Sequence, residues 1–136
     1  MATPSRRSLS FIAACALVLP VAAEAAERNV PVSLQPDGKM LTFRDSISEY
    51  DAISYAVPLQ KGQALQVTLA SSNAASCFDI HAPGEAKPFF VGADSGNSHR
   101  LHVPSSGTYV IRVFLLRFAA RDGHSAEYAL ELTLEP

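Results

Sequence analysis

The sequence predicts an all-β fold, an antiparallel β-sandwich of about seven or eight strands that follows a cleaved N-terminal signal peptide. Three observations carry that expectation. Beyond residue 26 the apolar residues recur at nearly every second position, the period of a strand with one face in a core and the other in water. Turn chemistry returns at short intervals, in "QPDGK" (35–39), "LQKGQ" (59–63), "APGEAK" (82–87), "GADSGN" (92–97), "PSSG" (104–107) and "RDGHS" (121–125). Apart from the N-terminal leader, no 3.6-residue apolar pattern runs long enough for a helix of three turns.

The leader comes first along the chain. Arg6 and Arg7 form a basic start, residues 9–19 an apolar run, and Ala23-Glu24-Ala25 the small-x-small pattern that a signal peptidase reads, with Val21-Ala22-Ala23 as a competing site. The run is too short to span and remain in a hydrocarbon core of ~30 Å, so no stable membrane anchor is expected. "SRRSLSF" resembles a twin-arginine motif but has Leu9 where an aromatic usually stands, which leaves the export route open. "IAAC" (12–15) resembles a lipoprotein box. The apolar stretch before Cys15 is very short and continues past it, which disfavours a lipid anchor. The expected division is residues 1–25 as signal peptide and 26–136 as one β-sandwich domain.

Strands are expected near 29–34, 39–44, 51–57, 64–70, 76–82, 98–103, 108–116 and 126–134. "ALQVTLA" alternates Leu65, Val67 and Leu69 with Gln66 and Thr68, and "YALELTLE" alternates Tyr128, Leu130, Leu132 and Leu134 with Glu131, Thr133 and Glu135. "HRLHV" sets Leu101 and Val103 on one side. "YVIRVFLL" is apolar on both sides, which predicts a central strand covered on two faces. The last two strands are expected to form a hairpin joined by residues 117–125.

Composition and spacing exclude several kinds of chemistry. The leader takes two of the eleven basic residues and one of the thirteen acidic ones, so the formal charge moves from −2 to −3. A nucleic-acid footprint is basic, and none is present. His99 and His102 lie three apart in a strand and point to opposite faces, so they cannot share a metal; no C-x-x-C or H-E-x-x-H occurs. "DSGN" (94–97) offers too few oxygens for calcium and reads as a turn. Ser105 and Ser106 lie near His102, but not in a strand-to-helix nucleophile elbow. Asp45, Glu49 and Asp51 form no pair that spacing singles out. No cofactor is implied, and the chain is expected to bind rather than to catalyse. Cys77 is the one cysteine left after processing, so no intrachain disulfide can form. Its apolar setting, "ASCFDIHA", predicts a buried thiol. A dimer through Cys77 or through a sheet edge stays open.

From residue 47 to 134 the chain resembles the periplasmic inhibitors of g-type lysozyme. The likeness rests on "EYDAISYAV", "QKGQALQVTL", "APG", "VPSSGTYVIRV" and "RFAARDGHSAEYALEL". The family's S-G-x-Y motif falls on Ser106, Gly107, Thr108 and Tyr109, its R-x-x-x-R segment on Arg117 and Arg121, and its Y-D pair with the tyrosine of the strand that follows on Tyr50, Asp51 and Tyr55. The broader skeleton is also similar to the β-sandwich domain at the C-termini of secreted bacterial peptidases. Residues 26–46 have little part in the likeness, and residues 72–99 fit it loosely.

The resemblance implies a periplasmic, non-enzymatic protein whose partner is g-type lysozyme. It also implies that the S-G-x-Y loop, here Ser105, Ser106, Gly107 and Tyr109, enters the substrate cleft and blocks the catalytic carboxyl. Pro104 and Gly107 would stiffen that loop. Ser106 would donate to a carboxylate, and Tyr109 would brace the loop or anchor in the partner. Arg117 and Arg121 would pair with the acidic residues of a glycosidase cleft, and Tyr50 is expected among the partner-binding residues. Ordinary strand punctuation, core packing of Tyr109 and solvated arginines account for the same residues. A freestanding sandwich that binds carbohydrate or an envelope protein is the alternative function. If residues 108–116 form one unbroken strand, the serine loop and the arginine segment lie roughly 25–30 Å apart at ~3.3 Å per residue, too far for a single plug to use both.

Overall fold

A computed structural model describes residues 25–136. The expected leader, with Arg6, Arg7 and Cys15, lies outside the described residues except for Ala25. Among them, nine strands and two single-turn helices follow one another. They are β1 (Glu27–Pro31), β2 (Met40–Ser48), β3 (Ala52–Leu59), β4 (Ala64–Ser71), β5 (Ser76–His81), β6 (Phe90–Val91), α1 (Gly92–Ser95), β7 (Ser98–His102), β8 (Gly107–Leu115), α2 (Arg117–Arg121) and β9 (Ser125–Glu135). One sheet has the order β1-β3-β8-β5-β6 and the other β2-β9-β4-β7. All pairings are antiparallel except that of β1 with β3, which is parallel.

The period of two sets which side chains enter the core. Leu65, Val67 and Leu69 of β4 and Tyr128, Leu130, Leu132 and Leu134 of β9 are buried from one sheet, and Tyr55, Val57, Phe78, Ile80, Tyr109, Ile111 and Val113 from the other. They form one contiguous cluster. Each such side chain stabilises the fold by roughly 1.5–3 kcal/mol relative to exposure. The Tyr55 and Tyr128 hydroxyls bond across the two layers at 2.7 Å. Burial raises both pKa values, so the pair stays protonated. The two open sides of the sandwich are closed differently. Arg28 of β1 pairs with Asp45 of β2 on one side. On the other, Phe78, Phe90 and His99 stack in sequence at 5.2 and 4.2 Å between centroids. Burial, then the nearby His102, lowers the His99 pKa, which favours the neutral ring in this stack.

Three expectations change. Residues 117–125 do not close a hairpin, because β8 and β9 belong to different sheets. The connection crosses the layers, and α2 plugs the end of the core with Ala119 and Ala120. The outer face of β8 is not covered either. Val110, Arg112 and Phe114 are half-buried while Tyr109, Ile111 and Val113 are buried, so the strand is central in its sheet but has one core face. Arg112 lies over the Phe114 ring at 5.0 Å and pairs with Glu27 at 3.4 Å, so the long cationic stem itself shields this face. Finally, α1 lies within the stretch "GADSGN" read as a turn, and β6 lies between it and "APGEAK", where no strand was expected. They are too short to leave a periodic signal.

Cys77 is 3% exposed. Burial, with the Asp79 carboxylate adding, pushes its thiol up to about 11. A disulfide between copies through Cys77 would require the sheet to open, so this route to a dimer is closed in the folded chain. A thiol-reactive dye at pH 8 is expected to leave Cys77 unlabelled in the native protein and to label it fully in denaturant. Fast native labelling would contradict the burial.

Candidate functional site

The residues that the sequence singles out fall at two opposite ends of the sandwich. At one end, residues 103–106 lead from β7 into β8. Ser105 and Ser106 are exposed, whereas Tyr109 is 0% exposed. The Tyr109 hydroxyl donates to the Ser105 carbonyl at 2.8 Å. Its ring is core and its tip holds the loop from beneath. Of the two roles open to Tyr109, bracing fits this geometry, because direct anchoring in a partner would expose a buried ring. Ser106 Oγ accepts the Lys61 N–H at 2.9 Å, across from the β3–β4 turn. That bond uses the oxygen and leaves the hydroxyl proton free to donate outward. Gly107 is required by crowding: an added Cβ would lie 2.5 Å from Pro83 Cγ. Pro83 lies on a neighbouring loop, so this glycine lets two loops pack together. Thr108 is exposed.

At the other end lie Tyr50, Arg117 and Arg121. The R-x-x-x-R spacing becomes meaningful through α2, since residues four apart on a helix share a face. Ala119 and Ala120 point into the core, and Arg117, Phe118 and Arg121 are exposed. Phe118 is 53% exposed and Tyr50 is 52% exposed. Phe118 escaped the sequence reading, although its place beside two alanines inside "RFAAR" is the signal that a helical turn would turn it outward. Arg117 forms no ion pair with any described residue. Arg121 makes a 3.7 Å contact with the adjacent Asp122, both well exposed. Such surface pairs contribute little.

Tyr50 sits on the β2–β3 turn, whose backbone is held tightly. Glu49 has φ 53°, a left-handed conformation that a non-glycine residue adopts at a cost of ~1–3 kcal/mol. Three hydrogen bonds secure it. Glu49 N–H donates to the His124 carbonyl at 2.9 Å, just beyond α2, and Asp51 N–H donates to the Ser48 carbonyl at 3.0 Å. Asp51 Oδ1 accepts the Ala26 N–H at 3.0 Å. The turn and α2 are therefore tied together. Between them lies a recess of about 270 Å³ lined by Tyr50, Asp51, Arg112, Phe114, Leu115 and Arg117. β8 separates the two ends, with Gly107 and Leu115 as its limits, by roughly 25–30 Å at ~3.3 Å per residue. The serine loop and the arginine segment are thus not brought together.

No family model matches the sequence, and no curated protein matches it. Solved structures do. The chain is similar to the crystal structure of a periplasmic inhibitor of g-type lysozyme from Aeromonas hydrophila, at 26% identity and TM-score 0.72, over 82% of this chain and 99% of that one. A variant of the corresponding Escherichia coli inhibitor shares the fold at 24% identity and TM-score 0.60, over 82% of this chain and 100% of that one. The Salmonella Typhimurium inhibitor does so at 22% identity and TM-score 0.61, over 79% and 98%. Three-dimensional likeness over nearly the whole of each inhibitor thus joins the motif likeness, and in fold this chain resembles the periplasmic inhibitors of g-type lysozyme.

Proposed function

We propose that this chain acts in the periplasm as a protein inhibitor of g-type lysozyme, and that the end bearing Tyr50, Arg117 and Arg121 makes the principal contact. The observation that carries the choice of end is the pairing of two exposed guanidiniums on one helical face with an exposed tyrosine on a strained, clamped turn. Tyrosine and arginine are the residue types that dominate binding energy at interfaces. Glycosidase clefts carry carboxylates. A guanidinium that reaches one forms a charge-assisted bond of roughly 1.5–3 kcal/mol. Arg117 and Arg121 have little to give up in exchange. The clamped backbone lowers the ordering cost, which runs at ~0.5–1.5 kcal/mol per immobilised side chain. Occlusion of this kind requires no catalysis by the inhibitor.

A second reading places the Ser-Gly loop in the cleft. It is favoured by the free proton on Ser106 and by the brace from Tyr109. One set of assays separates the two. The purified protein, titrated against g-type lysozyme acting on cell walls, is expected to abolish activity near equimolar ratio, and unchanged activity at large excess would overturn the inhibitor reading. With inhibition established, Ser106→Ala is expected to change potency less than about threefold. A loss of tenfold or more, equivalent to ~1.4 kcal/mol, would move the principal contact to the serine loop.

A further inference from the structure

Asp51 belongs to the Y-D pair of the sequence likeness, yet the inhibitor reading gives its carboxylate no contact with the partner. Its Oδ1 accepts the N–H of Ala26, which lies 25 residues away along the chain. Ala26 is held on its other side too, since its carbonyl accepts the Ala52 N–H at 2.9 Å. Ala25 is exposed and lies ahead of β1, so Ala26 is the first residue that these bonds fasten to the sandwich. The sequence offers two processing points, after Ala23 or after Ala25. Only the second would turn the nitrogen already bonded to Asp51 into a chain terminus.

The geometry points to Asp51 as the docking site for the α-ammonium group of the processed chain, created by cleavage between Ala25 and Ala26. In that step a signal peptidase adds water across the peptide bond. The Ala25 carboxylate leaves with the leader, and the Ala26 amine takes up a proton. An amide donating to a carboxylate becomes an ion pair on the same two atoms, with one more positive charge at this end of the sandwich. The pair braces the turn that presents Tyr50, beside the bond from Glu49 N–H to the His124 carbonyl. Processing thereby strengthens a clamp that already holds the strained Glu49. The inference rests on the export reading of residues 1–25 and not on the choice of partner.

The test begins with the full chain exported to a bacterial periplasm and purified, its first residue read by intact mass. A start at Ala26 is expected, and a start at Glu24 would overturn the assignment. Titration of the α-amino group follows, by NMR or by pH-dependent labelling. The ammonium beside Asp51 is expected to titrate roughly half a unit to one unit above the ordinary range of ~7.7–8.0. Asp51→Asn is expected to remove that shift. A chain produced with Glu24 and Ala25 still attached, whose terminus lies beyond the carboxylate, is expected to lack it as well and keeps the test informative if Asp51→Asn folds poorly. Equal titration in the native chain and in the extended one would overturn the proposal. No lysozyme is needed for the titration, so its result is separate from that of the inhibition assays.

Discussion

The combined substitution Arg117→Glu and Arg121→Glu is expected to weaken inhibition of g-type lysozyme by a hundredfold or more, about 2.8 kcal/mol, while the thermal midpoint moves little. Truncating one member of a desolvated charge pair already costs ~2–5 kcal/mol, and reversal adds repulsion from the carboxylates of the cleft. The fold is expected to tolerate the change because α2 is held to the core by Ala119 and Ala120, and both arginines are exposed. Inhibition curves with circular dichroism as the folding control would read both effects. Full potency in the double variant would remove this end of the molecule from the interface. Raising the salt concentration is expected to weaken the native complex and to affect the variant less, since exposed charges are screened.

Tyr109 is expected to show a different pattern. Tyr109→Ala removes a wholly buried ring and should lower stability by ~3–5 kcal/mol, a large part of the reserve of a domain this size. Tyr109→Phe keeps the ring and loses only the bond to the Ser105 carbonyl, at about 1 kcal/mol. Inhibition by the phenylalanine variant is therefore expected to lie within a few-fold of native. Denaturant unfolding of both variants beside the inhibition assay checks this. A stable phenylalanine variant that no longer inhibits would show that the hydroxyl, through the loop it braces, matters to the partner.

The strands that the sequence made most legible are β4 and β9, where Leu65 and Val67, and Leu130, Leu132 and Leu134, are each followed by a polar residue and are buried, although Ala64 and Ala129 are buried out of that alternation. β8 was harder, because a strand with Val110, Phe114 and Leu116 on its second side looks covered when an arginine stem supplies the cover. Assignment of β8 and β9 to different sheets was not legible at all. Neighbours in sequence usually pair in space, and a five-residue helix containing two alanines has no period to display. The same blindness affected the site. Ser105, Ser106 and Gly107 read as a turn from composition alone, but the crowding of Gly107 by Pro83 depends on a loop over twenty residues earlier. Phe118 and the clamp on Glu49 depend on α2 and on the His124 carbonyl, contacts that local pattern cannot foretell.

The pairing of β2 with β9 has a consequence for biogenesis. Met40 faces Thr133 and Ser48 faces Ser125, so one of the earliest strands finds its neighbour only in the last residues synthesised. Joining such distant segments costs loop-closure entropy and slows the final assembly. Until residues 125–135 are free to fold, β2 has no neighbour in its sheet and the second layer is only the β4–β7 pair. The sandwich therefore closes around its core only when the end of the chain is in place, whatever route carries it there.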